Sequence, residues 1–588
     1  MRIVAQSTET TDWVSRFADE VIEESERRAP GAKDSGATAP VVVVASGLSP
    51  SGPIHLGNLR EVMTPHLVAD EIRRRGHTVR HLISWDDYDR YRKVPAGVAG
   101  VDESWAEHIG KPLTSVPAPA GSAYPNWAEH FKAAMTAALA ELGVEYDGIS
   151  QTEQYTAGTY REQILFAMKH RGDIDAILDQ YRTKKAPAKK QQGQKPVDEA
   201  ELEAAEGSGA AAEDDGSSAS GYYPYKPYCG SCEKDLTTVT AYDDTTTELS
   251  YTCSACGFAE TVQLSEFNRG KLVWKVDWPM RWAYEGVVFE PSGVDHSSPG
   301  SSFQVGGQIV GLFGGKQPIG PMYAFVGISG MAKMSSSKGG VPTPADALQI
   351  MEPQLLRWLY ARRRPNQSFK IAFDQEIQRL YDEWDKLAGK VADGSVLPAD
   401  AAAYSRAVGT AAGDLPRTPR PMAYRTLASV ADITAGAEDQ TLRILSELDP
   451  ENPLTSLDEV RPRLDKAETW INTQVPAEER TVVRDEPDAE LLKSLDDQGR
   501  ESLRLLLEGL EANWSLDGLT HLVYGVPKVQ AGFPADATAK ELPAEIKVAQ
   551  RTFFARLYHL LVGRDTGPRL PTLLLAVGQD RVRKLLSA

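Results

Sequence analysis

The feature that most constrains the fold is a run of valines near the start of the chain that ends in a glycine-rich turn. Residues 41–45 read Val-Val-Val-Val-Ala, which is typical of a buried strand in a parallel sheet. A turn over 46–53 and apolar residues at helical spacing over 59–67 follow, with Pro65 kinking that helix or marking its start. A second strand is predicted over 77–84. This order predicts the opening of a doubly wound nucleotide-binding α/β sheet, in which ligands bind at the carboxyl ends of the strands.

The bulk properties exclude several classes of protein. A chain of 588 residues predicts about three to five domains, and 41% hydrophobic with 25% charged residues is a soluble globular composition. No apolar run reaches the roughly 18 residues of a membrane span, and residues 1–13 lack the apolar stretch of a secretory signal, so the cytoplasm is predicted. The net charge of −18 argues against a generally basic nucleic-acid coat but permits a local basic track.

The amino-acid composition and periodicity change along the chain. Residues 184–220 are polar and lack aromatics, which predicts a disordered linker; its basic first half leaves open a contact with RNA. Strand-like runs and glycine-rich turns are expected again over 271–330. Beyond 346 the spacing of leucines, as in Leu503, Leu506 and Leu510, predicts an α-helical domain.

The glycine-rich turn carries a candidate phosphate site. Backbone N–H groups and the start of a helix attract anions, and Gly52 lies in this turn. His55 and Asn58 supply further donors. Gly57 has no side chain, which lets a flat base lie against the backbone.

A second motif lies far downstream, where Lys333-Met334-Ser335-Ser336-Ser337-Lys338 precedes two glycines. Such a loop can close over a triphosphate, with the ammonium groups meeting the charge of the leaving pyrophosphate. Either motif alone is weak. Both in this order, each in a sheet-like region, predict an ATP site.

Four cysteines form two pairs, Cys229-x-x-Cys232 and Cys253-x-x-Cys256. This is the spacing of a tetrahedral four-thiolate zinc site, and Gly230 and Gly257 ease the tight turns. A disulfide pair is a poor alternative in a cytosolic protein. Since four protein ligands leave no position for water, the predicted Zn²⁺ is structural.

These motifs resemble a known family. Residues 47–58 are similar to the "HIGH" signature of class I aminoacyl-tRNA synthetases, and Lys333 to Ser337 to their "KMSKS" signature. Within the class, four segments resemble the class I lysyl-tRNA synthetase family: 84–95, 274–282, 295–300 and 321–327. The resemblance covers most of the chain outside 184–220. It implies a Rossmann-type domain with a zinc-binding insertion, and L-lysine, ATP with Mg²⁺ and tRNA(Lys) as substrates.

The resemblance also implies residue roles. His55, Lys333 and Lys338 would be catalytic, the two lysines sharing the work because Ser336 stands where the second lysine of the signature usually falls. Asn58 stands where many members have a second histidine. The ATP-binding set is Gly52, Gly57, Asn58, Ser335, Ser336 and Ser337. The amino-acid-binding set is Gly47, Ser49, Trp274, Trp278, His296 and Tyr323.

Residue chemistry offers further candidates. A lysine ammonium prefers carboxylates and aromatic faces, and Asp86, Asp87 and Asp277 supply the acids. Arg357 and Arg362 to Arg364, with neighbouring aromatics, form either an RNA-binding patch or a solvated helix face.

The expected domains follow from these points. Residues 1–170 and 263–345 form two halves of the catalytic domain, 171–262 the insertion with its zinc knob, and 346–588 an α-helical domain. The segments 553–558 and 567–570 resemble the end of class I lysyl- and glutamyl-type enzymes, which implies that this last domain binds the anticodon. A monomer is expected, although nothing in the sequence fixes the oligomeric state.

The function implied is lysine–tRNA ligation, through an adenylate that is then attacked by the 2′-hydroxyl of the terminal adenosine. Three alternatives stay open. A glutamate enzyme would recruit a cation such as Arg281, and a non-catalytic paralogue would only bind tRNA. A zinc-ribbon nucleic-acid protein would leave most of the chain unexplained.

Overall fold

The computed structural model describes residues 12–29, 40–182, 216–297, 301–329, 341–538 and 542–587. These residues divide into two compact units. The first comprises the described parts of 1–348 together with 353–372 and 390–415, and the second comprises 349–352, 373–389 and the described parts of 416–588.

The first unit contains both helices and strands. Up to residue 182 they are α1 (Trp13–Arg28), β1 (Val42–Leu48), α2 (Leu56–Arg74), β2 (Val79–Trp85), α3 (Trp127–Glu141), β3 (Asp147–Ser150), α4 (Gln151–Thr156), α5 (Arg161–Lys169) and α6 (Arg171–Arg182). Then come β4 (Ser217–Ser218), β5 (Gly221–Tyr222), β6 (Tyr225–Pro227), β7 (Thr237–Tyr242), β8 (Glu248–Cys253), β9 (Ala259–Gln263), β10 (Gly270–Leu272), α7 (Trp274–Glu285), β11 (Ser292–Gly293), α8 (Val294–Ser297), α9 (Ser302–Ile309), β12 (Met322–Tyr323) and β13 (Val326–Ser329). The rest are α11 (Pro353–Ala361), β14 (Phe369–Ala372), α13 (Pro398–Val408), β15 (Gly409–Thr410) and β16 (Gly413–Asp414); α10 (Pro344–Ile350) and α12 (Glu376–Ala392) have residues in both units.

The second unit is helical, as the leucine spacing predicted. It holds α14 (Tyr424–Thr434), α15 (Glu438–Glu447), α16 (Arg463–Gln474), α17 (Ala489–Ser494), α18 (Asp497–Gly509), α19 (Leu516–Gln530), α20 (Ala544–Val562), α21 (Leu570–Val577) and α22 (Gln579–Leu586). Leu503, Leu506 and Leu510 all lie in the core that α18 to α22 share. None of the described helices is both long and apolar enough to cross a bilayer.

A parallel sheet organises the first unit. β1 pairs with β2 and β2 with β3, all parallel, and α2 forms the connection between β1 and β2. Parallel bridges extend this arrangement from Val44 to Phe289 and from Phe289 to Ile319. The valines of β1 and Leu82 and Ile83 of β2 are buried. The strand, turn, helix, strand order expected from the sequence is therefore present.

Helix α2 continues through Pro65, which neither ends it nor marks its start. A proline has no N–H to donate to the carbonyl four residues earlier, so the carbonyl of Glu61 needs another donor. The Ser46 hydroxyl at the end of β1 donates to it over 3.2 Å. Pro65 thus helps tie α2 to the end of β1.

Two expectations from the sequence are wrong. The strand-like interpretation of 271–330 fails at residues 274–285, which form α7 and end at Gly286 in the left-handed region with φ of 68°. Trp274, Trp278 and Trp282 recur every four residues, so their rings lie along one side of a helix, with the first pair stacked and the second tilted by 54°. The disordered linker predicted for 184–220 is wrong at its end, because Ser217 and Ser218 form β4, which pairs with β5; residues 184–215 lie outside the described part.

Arg357 does not belong to an exposed basic patch. Its side chain is fully buried, and its guanidinium donates to the carbonyls of Leu142 and Arg406 and contacts the ring of His66. Arginine fits here because its fork of N–H groups satisfies several buried carbonyls at once. This residue is therefore unavailable to RNA.

Candidate functional site

The first motif forms the start of α2. His55 is the N-cap residue, and its Nδ1 accepts a hydrogen bond from the Gly57 N–H over 3.1 Å. Burial lowers the pKa of His55, which favours the neutral ring. Since Nδ1 is an acceptor, the proton of the neutral ring is on Nε2. His55 can therefore donate from Nε2 to an anion at the helix start.

Gly57 is required for a reason that differs from the one inferred from sequence. A Cβ at this position would lie 2.8 Å from both Cε1 and Nδ1 of His55. The missing side chain leaves room for the histidine ring. A Cβ at Gly52 would lie more than 4 Å from every described atom, so the structure gives no comparable steric reason for a glycine at that position.

The second motif, including Lys333, Ser335, Ser336, Ser337 and Lys338, lies outside the described residues. Its two flanks are described, and both are bonded to α2. The Leu56 N–H donates to the Pro342 carbonyl over 2.9 Å, and Arg60 donates to the Ala324 carbonyl over 3.0 Å. Lys338 is four residues from Pro342, which an extended chain spans in about 14 Å at most. The segment after the loop is therefore bonded to the first residue of α2, next to the N-cap His55.

Two of the residues predicted to bind the amino acid, Gly47 and Tyr323, meet at an acid that the sequence patterns did not indicate, Glu61. The carboxylate of Glu61 accepts the Gly47 N–H over 3.3 Å and the Tyr323 hydroxyl over 3.1 Å. Burial and the charge of Glu290 raise the pKa of Glu61 to about 8. The one feature of the sequence that could have pointed to Glu61 is Pro65, four residues later, because a proline at that position leaves the Glu61 backbone carbonyl without its helical hydrogen bond.

The predicted aromatics form one wall nearby. Trp274 and Trp278 stack with their ring centroids 5.2 Å apart, and the ring of His296 lies 6.2 Å and 5.8 Å from them. The Trp278 indole N–H donates to Glu290, as does that of Trp282. Ser49 is exposed at the end of β1. The structure thus brings Gly47 and Tyr323 to Glu61, and Trp274, Trp278 and His296 to one another.

The other acids considered for lysine recognition are engaged with protein groups. Asp87 is fully buried and accepts hydrogen bonds from Ser150, the Thr152 N–H and Lys132. It therefore stabilises the junction of β3 and α4 rather than facing a ligand.

The cation that a glutamate enzyme would recruit is also engaged. Arg281 pairs with Asp86 over 2.9 Å and with Asp277 over 3.2 Å. Its charge is matched by two carboxylates from the protein, so a substrate carboxylate would have to compete with both.

The four cysteines come together as the spacing predicted. Their sulfurs all lie within 4.8 Å of one another, and the pairs Cys229–Cys256 and Cys232–Cys253 are 3.7 Å apart. A tetrahedron of thiolates around zinc at about 2.3 Å has edges of about 3.8 Å. The distances are far too long for disulfides, at about 2.05 Å. The group therefore fits a tetrahedral metal ion.

A family profile described as tRNA synthetases class I (K) matches residues 11–412.

The chain belongs to this family.

Several related proteins are similar to this chain over nearly its whole length. A lysine–tRNA ligase of Streptomyces coelicolor is 86% identical and covers 100% of both chains. Enzymes with the same name from Thermococcus kodakarensis and Borreliella burgdorferi are 32% and 28% identical, each covering 98% of this chain and 99% of their own. A solved glutamate tRNA ligase from Elizabethkingia meningosepticum is 12% identical, covers 93% of this chain and 98% of its own, and has a TM-score of 0.40, too low to indicate a shared substrate.

Replacing Gly57 by alanine should disable the synthetase without unfolding it. The new Cβ displaces the His55 ring and breaks its bond to the Gly57 N–H. We expect amino-acid-dependent ATP–pyrophosphate exchange to fall about 100-fold, the usual effect of a misplaced transition-state donor. Gly389→Ala, at an exposed helical glycine with open space around it, is the matched control and should stay within about threefold. Full exchange by Gly57→Ala would contradict this role of Gly57.

Proposed function

We propose that this member of the class I tRNA synthetases is a lysine–tRNA ligase. Lysine reacts with ATP to give lysyl-adenylate and pyrophosphate, and the lysyl group is then transferred to the terminal adenosine of tRNA(Lys). The observation that carries the choice of lysine is the half-buried Glu61 carboxylate between Gly47 and Tyr323. The lysine–tRNA ligases of three organisms, which match nearly the whole chain, support the same choice.

The ε-ammonium of lysine would bind at Glu61. Binding of a cation there favours the carboxylate form, which the surrounding acids otherwise disfavour. Trp274, Trp278 and His296 offer aromatic faces to the rest of the amino acid, and Gly47 and Ser49 stand at the end of β1. A carboxylate side chain in place of the ammonium would face Glu61 and Glu290, which disfavours glutamate.

ATP would bind at the start of α2. The Nε2–H of His55 faces the triphosphate, and Gly52, Gly57 and Asn58 line the turn. Lys333 and Lys338, with Ser335 to Ser337, would bind the phosphates as well, a proposal supported by the bonds of Pro342 to Leu56 and of Ala324 to Arg60 on either side of this motif. Mg²⁺, bound with ATP, supplies further charge stabilisation for the leaving pyrophosphate. The chain's own residues thus orient the phosphates and hold donors toward the developing charge.

The domain arrangement we infer follows the sequence. Residues 1–170 and 263–345 would form one doubly wound sheet domain, supported by the parallel bridges at Phe289 and Ile319. Residues 171–262 would be an insertion with a zinc knob, and the helical part within 346–588 would bind the anticodon. A cytoplasmic monomer is the corresponding proposal for the whole enzyme.

Lysine, and not glutamate, should support ATP–pyrophosphate exchange by the purified protein. The assay is run with each amino acid, with and without tRNA, since tRNA can complete a site that is inactive alone. Exchange with glutamate only would contradict the proposal. Absence of exchange with both amino acids in folded, zinc-loaded protein with tRNA would favour a non-catalytic tRNA-binding paralogue.

Glu61→Gln should lower kcat/KM for lysine about 100-fold, because the neutral amide cannot pair with the ammonium. The KM for lysine of the parent enzyme should fall as the pH rises from 6.5 to about 8, because a raised pKa leaves Glu61 protonated at the lower pH. The variant should lose this pH dependence.

The control for Glu61 is Glu71→Gln, the same change on the same helix at a residue paired with Arg75 and Arg406. We expect its KM for lysine to stay within about twofold of the parent. An unchanged pH profile in Glu61→Gln would exclude Glu61 as the titrating group.

We further propose that the four cysteines hold a structural zinc ion. In the first cysteine turn the Ser231 N–H donates to the Cys229 sulfur over 3.4 Å, and in the second the Gly257 N–H donates to the Cys253 carbonyl over 2.9 Å. The ion would hold the β7–β8–β9 sheet to the two cysteine turns, a role that a larger hydrophobic core would otherwise have. It would have no open position for substrate.

Zinc content should fall from about one ion per chain to a small fraction of that in Cys253→Ser, because a hydroxyl is a poor replacement for a thiolate ligand. Ser254→Ala, next in the chain, is the control and should keep the ion. The measurement is elemental analysis of dialysed protein. Full zinc in the Cys253 variant would refute this ligand set.

A further inference from the structure

Five charged residues beside the aromatic wall form what we call the Asp277 cluster: Asp86, Asp89, Lys271, Asp277 and Arg281. The side chains of Asp86, Asp277 and Arg281 are buried, and those of Asp89 and Lys271 are partly buried. Arg281 pairs with Asp277 over 3.2 Å and with Asp86 over 2.9 Å. Lys271 pairs with Asp89 and lies 3.8 Å from Asp277. Three acids therefore face two cations, which leaves one acid in surplus.

The cluster adjoins the amino-acid site without Asp277 itself facing it. The Arg281 guanidinium lies 5.4 Å from the centre of the Trp274 ring. Asp86 comes within 3.8 Å of the point where a Cβ on Gly47 would lie. Asp277 is fully buried and accepts a hydrogen bond from the Tyr155 hydroxyl, so its own contacts are all within the protein.

The surplus acid adds to the negative charge of Glu61 and Glu290 in favouring a cation in the site. Burial raises the pKa of Asp86 to about 7 while the Arg281 charge opposes the rise, and a cation bound nearby would favour the ionised form of this acid. At low effective dielectric, charges several ångströms apart still interact strongly. Without Asp277, Arg281 and Lys271 would balance Asp86 and Asp89, and the surplus would vanish.

We propose that Asp277 is a specificity-determining residue that acts through Arg281. It neutralises the arginine that could otherwise attract an acidic amino acid, and so leaves the site selective for a cationic one. It also fixes α7, the helix that carries Trp274 and Trp278. This inference rests on the proposed lysine specificity and adds a residue that does not touch the substrate.

Asp277→Asn tests the charge while keeping the shape and an acceptor for Tyr155. We expect the KM for lysine to rise about tenfold, with kcat changed less than about threefold, because the loss falls on binding of a cation. The ratio of kcat/KM for lysine to that for glutamate should fall by at least the same factor. An unchanged KM in folded Asp277→Asn would overturn the proposal.

A second substitution separates charge from structure. In Asp277→Asn/Arg281→Met one anion and one cation are both removed, so the acids again outnumber the cations by one. Replacing both partners of a buried pair is also better tolerated than removing one. We expect the KM for lysine to return to within about threefold of the parent. A double variant no better than the single one would overturn the electrostatic role.

The chain offers a matched control in Asp70, another buried aspartate that pairs with an arginine four residues later on its own helix. Asp70 lies nine residues beyond Glu61 on α2, about 13 Å along the axis. Asp70→Asn should lower the melting temperature and leave the KM for lysine within about twofold. An equal rise in KM would mean that any buried pair has this effect, and would overturn the assignment.

If Asp277→Asn does not fold, Asp89→Asn removes one acid from the same cluster at its more exposed end and should raise the KM in the same direction. An unchanged KM in that variant would count against the proposal. A parent enzyme that shows no lysine-dependent exchange would instead refute the proposed function, so the two failures are distinguishable.

Discussion

The arrangement of the site depends on how the start of α2 is held. The Ser46 hydroxyl bonds the Glu61 carbonyl, which Pro65 leaves without its helical partner. This hydrogen bond therefore depends on Ser46, Glu61 and Pro65, and it keeps the Glu61 side chain beside Gly47. The same helix receives the two flanks of the second motif through Leu56 and Arg60. The proposed phosphate end and the proposed amino-acid end of the site therefore lie on one helix.

The sequence predicted the parts of this site that depend on local pattern. The first strand, the helix after it, the helical second unit and the meeting of the four cysteines follow from periodicity, turn residues and spacing. The resemblance correctly indicated the family, and it singled out Gly47 and Tyr323, which the structure brings to a common partner. Local pattern predicts the strand and the helices because each is determined by residues close together in the chain, whereas the cysteine group follows from the spacing of its two pairs.

The features that sequence did not predict depend on distant partners. Pro65 is the only feature nearby in the sequence that marks Glu61, and the raised pKa of its carboxyl arises from burial and from Glu290, more than two hundred residues away. Arg357 looked like part of a basic surface, but its partners are carbonyls from two other segments. The sequence pattern predicted strands in the segment from Trp274, but tertiary packing and the four-residue spacing of its tryptophans give a helix. The sequence predicted that Gly57 makes room for a flat base, whereas the structure shows that its missing side chain makes room for the His55 ring.

The central claim is that a lysine side chain binds where Glu61 and Tyr323 converge. The most direct measurement is a crystal structure of the enzyme with lysine and a non-hydrolysable ATP analogue. The account predicts the lysine Nζ within hydrogen-bond distance of the Glu61 carboxylate, with the chain of the amino acid against Trp274 or Trp278. An Nζ bound elsewhere, with Glu61 still bonded only to Gly47 and Tyr323, would contradict it.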